Sequence, residues 1–117
     1  MKTVLIIEDD DDTLHLLEEM AKMAEVQVIL RSKVVSLREI EEINPTLILL
    51  DHWLDSQLGG DFCLKIKQNE KMKDIAVVLL SCDKDIGQIA MANSADGAFE
   101  KPFDINELLA VIDVYVN

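Results

Sequence analysis

The feature that most constrains this chain is a repeated alternation: apolar runs of strand length, each followed by a stretch whose apolar residues recur at helical spacing. Val4-Leu5-Ile6-Ile7 contains no polar residue, as a strand covered on both faces requires. Leu14, Leu17, Ala21 and Ala24 then recur as on one face of a helix. Val26–Leu30 predicts a second strand, weakened by Gln27. Leu37, Ile40 and Ile43 place a helix over Val34–Ile43, which Asn44-Pro45 ends. Thr46–Leu50 is a third buried run, closing on Asp51. Beyond Gly59-Gly60, the residues Phe62, Cys63 and Ile66 mark a helix, with Lys65 and Lys67 expected on its outer face. Ile75–Leu80 is the fourth run and ends at Ser81; Ile86, Ile89 and Ala90 suggest a short helix after it. Gly97–Glu100 reads as a fifth strand before Lys101-Pro102. Asp104 then caps a last helix with Ile105, Leu108, Leu109, Ile112 and Val116 on one face. Strand then helix, five times over, predicts an α/β fold. Its sheet is parallel, with helices on both sides, because a parallel neighbour is reached by a crossover lying on a sheet face.

At 117 residues, half of them hydrophobic, the chain is expected to form one domain over residues 1–117 with a sizeable core. Charge narrows its partners. Asp plus Glu number 23 against 11 Lys plus Arg, a formal net charge of −12. Such a surface repels nucleic-acid phosphates and anionic lipid, which are bound by clustered Lys and Arg. The expected partners are proteins and metal ions, with no direct nucleic-acid or membrane contact. Cys63 and Cys82 form no CxxC or Cys/His cluster, so zinc is not indicated, and two isolated thiols suit a reducing compartment. No segment approaches the roughly 18 apolar residues of a membrane span. The opening apolar run is too short for a signal-peptide core and meets five acids, Glu8 to Asp12. A cytoplasmic location is expected.

In open α/β sheets, functional groups gather beyond the carboxyl ends of the strands. The first strand ends in Glu8-Asp9, the third in Asp51, the fourth in Ser81 and the fifth in Lys101. Three carboxylates, a hydroxyl and an ammonium are thus predicted to share one edge. Crowded carboxylates resist ionisation unless a cation neutralises them. An all-oxygen set favours a hard ion such as Mg²⁺. A carboxylate beside such an ion and a lysine can attack a phosphoryl group, while the cations balance charge on the transferred oxygens. Ser81 can donate a hydrogen bond to one of them, and the product is a labile acyl phosphate.

Each residue also has a plainer explanation. Acids at a helix start complement its dipole at roughly 0.3–1 kcal/mol each, which accounts for Asp10, Asp11 and Asp12 but less well for Glu8 and Asp9, which precede the helix. A lone Asp51 is a turn former, a lone Ser81 a cap, a lone Lys101 a surface charge. Their convergence is what favours a site. His15 reads as a surface residue, His52 as a residue near the pocket mouth without a role, Cys63 as core, and Cys82 as a small neighbour of Ser81.

VLIIEDD, TLILLDHWLDSQLGGDFCLKIK, VVLLS and ADGAFEKPFDINELL, in that order and spacing, resemble the receiver domain of two-component response regulators over nearly the whole chain. The resemblance implies a flavodoxin-like (βα)5 three-layer sandwich with strand order 2-1-3-4-5. It implies that Asp51 accepts a phosphoryl group from a phosphohistidine on a sensor histidine kinase or a histidine phosphotransfer protein. It places Mg²⁺ on Asp9 and Asp51 directly, on Glu8 through water, and on the Trp53 backbone carbonyl. Backbone N–H groups near Trp53 and Cys82 would cradle the phosphoryl group, assisted by Ser81 and Lys101. The domain would catalyse only its own phosphorylation and dephosphorylation, and a downstream protein would read the change. The chain departs from the family at Asp55, where proline is common, and at Ala98, where an aromatic switch residue is usual. Trp53 is unusually bulky for a position two residues past the acceptor.

Two other readings compete. Asp9 to Leu14 loosely resembles the DxDxT strand end of haloacid-dehalogenase-type phosphatases, with Asp9 as nucleophile, but Asp51 then goes unexplained. A phosphorylation-independent pseudo-receiver scaffold is the other, since fold alone does not establish chemistry. No GxGxxG or P-loop follows the first strand, and the acidic run lacks the glycine and glutamate of an EF-hand loop.

Overall fold

A computed structural model describes residues 1–117. Five strands, β1 (Thr3–Ile7), β2 (Gln27–Arg31), β3 (Leu47–Asp51), β4 (Ala76–Ser81) and β5 (Gly97–Glu100), form one sheet in the order β2-β1-β3-β4-β5, every pair parallel. The helices are α1 (Asp11–Ala21), α2 (Leu37–Ile43), α3 (Gly59–Lys67), α4 (Ile86–Ala92) and α5 (Ile105–Val116). Alternate residues of each strand serve opposite layers, as the period of two demands. Leu5, Ile7, Ile48, Leu50, Val77 and Leu79 pack with α2, α3 and α4 through Ile40, Phe62, Cys63, Ile66, Ile86 and Ala90. Val4, Ile6, Leu47, Leu49, Val78 and Leu80 pack with α1 and α5 through Leu14, Leu17, Ala21, Leu108, Ile112 and Val116. The predicted three-layer α/β sandwich is therefore the observed one. No helix is long and apolar enough to cross a membrane.

Several local expectations need correction. The second helix starts at Leu37, not Val34, because the Ser36 side chain accepts the Glu39 N–H at 3.1 Å and so caps the helix there. Val34 and Val35 lead into it while packing on the core. Asn44, in the left-handed region at φ 52°, closes α2 ahead of Pro45. The second strand runs one residue later than expected, Val26 being buried just ahead of it. Ala24 lies in a short 3-10 turn, Lys22–Ala24, beyond α1. Lys67 is not on an outer face. Its ammonium meets Asp96 Oδ2 at 2.6 Å and the Ile75 carbonyl at 2.6 Å, while the same Asp96 oxygen accepts the Val77 N–H. The C-terminal Tyr115 hydroxyl donates to the Asp96 carbonyl at 2.8 Å. Lys67, Asp96 and Tyr115 thus tie α3 and α5 to the loop before β5, at the end of the sheet opposite the candidate site.

Asp10 caps α1 by accepting the Thr13 N–H at 2.9 Å and the Thr13 hydroxyl at 2.5 Å. These two bonds hold its carboxyl below the ordinary carboxylate range, with the side-chain bond contributing most. Asp11 and Asp12 fill the first turn, so this stretch of acids does serve the helix start. Asp104 caps α5 as expected, accepting the Glu107 N–H at 2.8 Å.

Candidate functional site

Backbone pairing delivers the candidate residues to one edge. The Glu8 N–H donates to the Arg31 carbonyl at 3.1 Å, the His52 N–H to Leu80 at 2.9 Å and the Lys101 N–H to Ser81 at 2.8 Å. Each residue just past a strand is thereby held beside its neighbour at the same level. Carboxylate oxygens of Glu8, Asp9 and Asp51 all lie within 4.8 Å of one another. The Lys101 ammonium donates to Glu8 Oε2 at 3.0 Å and to Asp51 Oδ1 at 3.3 Å. Glu8, Asp51 and Ser81 are buried, whereas Asp9 is partly open and its Oδ2 accepts the Asp55 N–H at 3.1 Å. The side chains of Glu8, Asp9, Asp51 and Lys101 are brought together, while Ser81 adjoins Lys101 through its backbone carbonyl and turns its hydroxyl to Asp83.

Burial sets the electrostatics. It raises the Glu8 carboxyl above its ordinary value, against the hydrogen bond from Lys101 and with the charge on Asp51 adding to the rise. It raises Asp51 likewise, against the Lys101 charge and with Asp9 adding. Burial works to lower the Lys101 ammonium, but its bond to Glu8 and the charges of Asp51 and Glu8 outweigh that, and the net shift is upward. One ammonium thus faces more negative charge than it neutralises. Three clustered carboxylates with oxygen donors only are the chemistry that attracts a hard divalent cation.

The loop after Asp51 is fixed by close contacts. A Cβ on Gly59 would sit 2.2 Å from the Asp51 carbonyl oxygen, so only glycine lets α3 start this close to the strand end. Gly59→Ala should cost about 3 kcal/mol in urea unfolding, the upper end for overpacking, because the clashing atoms are backbone. A cost below about 1 kcal/mol would contradict this packing.

His52 is not at the pocket mouth. It is buried, and its Nδ1 accepts the Gly60 N–H at 3.1 Å, which assigns the ring proton to Nε2. Its ring meets that of Trp53 edge-on at 4.9 Å. His52→Leu leaves the Gly60 donor unpaired and should cost roughly 1–3 kcal/mol. His52→Asn, which keeps an acceptor near the Nδ1 position, should recover part of that, and equal urea midpoints for the two variants would remove the acceptor role.

Asp83 adjoins the candidate site although no motif in the sequence marks it. Its Oδ2 accepts the Trp53 indole N–H at 2.5 Å and the Ser81 hydroxyl at 3.3 Å, and its own N–H donates to Ser81 Oγ at 3.1 Å. Only the two-residue offset from Ser81 hinted at it. Beside Asp9 lies a cavity of about 580 Å³ bordered by Asp11, Lys33, Leu54 and Asp55. Ala98 is exposed on β5, and Phe99, one step later, turns the other way to pack edge-on against Phe103 at 4.9 Å.

The model of the response regulator receiver domain matches residues 4–113. The chain belongs to the receiver domain family of response regulators. This receiver is 32% identical to the DNA-binding dual master transcriptional regulator RpaA of Synechocystis, over 94% of this chain and 47% of that protein. It is 30% identical to the adventurous-gliding motility protein Z of Myxococcus xanthus, over 94% of this chain but 8% of that protein. The receiver thus spans about half the length of the first relative and a small part of the second. Among solved structures, the signal receiver domain of a response regulator from Bermanella marisrubri superposes with a TM-score of 0.86 at 26% identity, covering 98% of both chains. The chemotaxis response regulator CheY4 of Vibrio cholerae shares the fold, with a TM-score of 0.88 at 19% identity over 98% of both chains. A receiver is a signalling domain of two-component systems rather than a classical enzyme, and the dehalogenase-type reading loses its footing.

Proposed function

We propose that residues 1–117 act as one receiver domain in which Asp51 is the phosphoacceptor, Lys101 and Ser81 assist the transfer, and Glu8, Asp9, Asp51 and the Trp53 carbonyl hold Mg²⁺. The observation that carries this reading is Lys101 bridging Glu8 and Asp51 within a triad of carboxylates. An Asp51 carboxylate oxygen attacks the phosphorus of a donor phosphohistidine. The new O–P bond forms as the P–N bond breaks, and the electron pair returns to the imidazole nitrogen. Asp51 becomes an acyl phosphate. The Lys101 ammonium, already between the carboxylates, balances charge on the phosphoryl oxygens, and the Ser81 hydroxyl donates to one of them. When bound, the divalent ion supplies Lewis-acid charge compensation at the same oxygens.

The donor in this reading is a sensor histidine kinase or a histidine phosphotransfer protein, and the reader is a downstream protein in the cytoplasm. The net charge of −12 supports protein contacts over nucleic acid for this domain. Incubation with acetyl phosphate and Mg²⁺, followed by mass-spectrometric mapping, tests the assignment. Phosphoryl on Asp51 supports it. Phosphoryl on Asp9 would favour a phosphatase-like nucleophile, and no modification would favour a pseudo-receiver.

Trp53 is 56% exposed yet tethered to Asp83, which holds a large ring near the acceptor. The ring is expected to hinder water reaching the acyl phosphate. Trp53→Asn should hydrolyse its phosphoryl group roughly tenfold faster, about 1.4 kcal/mol of barrier. Equal decay rates in the two proteins would leave Trp53 without that role.

A further inference from the structure

Resting on the assignment of Asp51 as phosphoacceptor, we infer that Asp83 is a positioning residue that couples the Ser81 hydroxyl to the Trp53 indole, so that phosphorylation is relayed to an aromatic ring on the acceptor loop. One carboxylate oxygen, Asp83 Oδ2, accepts from both the indole N–H and the Ser81 hydroxyl. The Asp83 N–H returns to Ser81 Oγ, fixing the carboxylate over the serine. Ser81 is buried and has one hydroxyl proton to give. It can go to Asp83 or to a phosphoryl oxygen on Asp51, not to both.

A phosphoryl group is the stronger competitor, carrying up to two negative charges and three acceptor oxygens. When Ser81 turns to it, Asp83 loses one of its two donors. It also faces a new like charge nearby, which pushes the carboxylate outward. The indole is held by that same oxygen, is mostly exposed, and touches the buried His52 ring only edge-on, so little packing opposes its movement. It leaves Asp83 and re-seats over the modified acceptor. Position 98 carries only a methyl group, and Phe99 is engaged with Phe103. Trp53 is therefore the aromatic ring with a hydrogen-bonded connection to Ser81.

Trp53 is the one tryptophan of the chain, so its emission reads the coupling directly. The baseline is the full chain with Mg²⁺ alone. Adding acetyl phosphate should shift the emission of the parent protein as Asp51 becomes phosphorylated. Asp83→Ala should start with the shifted emission and move no further, although mass spectrometry shows Asp51 modified. Asp83→Asn, which keeps an acceptor oxygen, should restore a shift. Ser81→Ala, brought to completion, should carry the phosphoryl group with its emission unmoved, and this one-atom change decides the matter if Asp83→Ala does not fold. A full shift in phosphorylated Ser81→Ala or Asp83→Ala, or none in phosphorylated parent, overturns the coupling while leaving the acceptor assignment standing. Failure to phosphorylate the parent at Asp51 overturns both, and the mass map tells the two failures apart.

Discussion

Replacing Asp51 with asparagine should abolish phosphoryl uptake from acetyl phosphate and, in the absence of divalent metal, raise the melting temperature. Uptake is lost because an amide oxygen is no nucleophile towards phosphorus and the other acids keep different neighbours. The gain in stability follows from the shift at Asp51. Burial, with Asp9 adding, raises its carboxyl above the ordinary value despite Lys101. Between the unfolded and folded values the folded chain binds more protons than the unfolded one. Stability is therefore full below the unfolded value and falls as pH rises through that window, staying lower at neutral pH. Asparagine, which does not ionise, removes this loss. Each kcal/mol recovered corresponds to about 4 °C for a domain near this size. Mg²⁺ should raise the melting point of the parent and do so less for the variant. A phosphorylated Asp51→Asn chain, or equal melting of both proteins in EDTA at pH 7.5, would sink the respective half of the prediction.

The layers of the fold were legible because its central strands are buried on both faces and so read as unbroken apolar runs, as at Leu47–Leu50 and Val77–Leu80. The strand ends then pointed to the site, since Glu8, Asp9, Asp51, Ser81 and Lys101 each follow directly from where a run stops. Cap chemistry was less legible. Val34 and Val35 fit a helical stripe with Leu37, yet Ser36 accepts the Glu39 N–H and starts the helix later. Contacts between distant segments were not legible at all. Lys67 looks solvent-facing on a helical wheel, and only folding brings Asp96 within 2.6 Å of it. The contacts of His52 and Asp83 are hidden for the same reason: their partners Gly60 and Trp53 are 8 and 30 residues away.

A large loss of both stability and phosphorylation rate is expected at Lys101. Lys101→Met removes the cation between Glu8 and Asp51, which lie 3.0 and 3.3 Å from its nitrogen. Stranding buried carboxylates in this way costs about 3–5 kcal/mol. The lysine side chain retains 18% exposure, so the lower end, about 3 kcal/mol at neutral pH, is expected. The pH dependence has two signs to separate. The folded ammonium is raised, so its contribution is fully present below the unfolded value and disappears only as pH rises through the folded one. Glu8 and Asp51 are raised as well, so on acidification they protonate early and no longer need a cation. The penalty of Lys101→Met should therefore shrink as pH falls from neutral towards the carboxylate range. It should also shrink in the double variant with Asp51→Asn, because the two side chains share one interaction and their effects do not add. Phosphorylation by acetyl phosphate should slow on the order of a hundredfold, the loss of one preorganised donor at developing charge. Urea titrations of the four proteins across pH, with phosphorylation rates at pH 7.5, test each step. A penalty that is independent of pH and strictly additive with Asp51→Asn would mean that Lys101 stabilises the domain through its packing, and that its placement among the carboxylates has no electrostatic consequence.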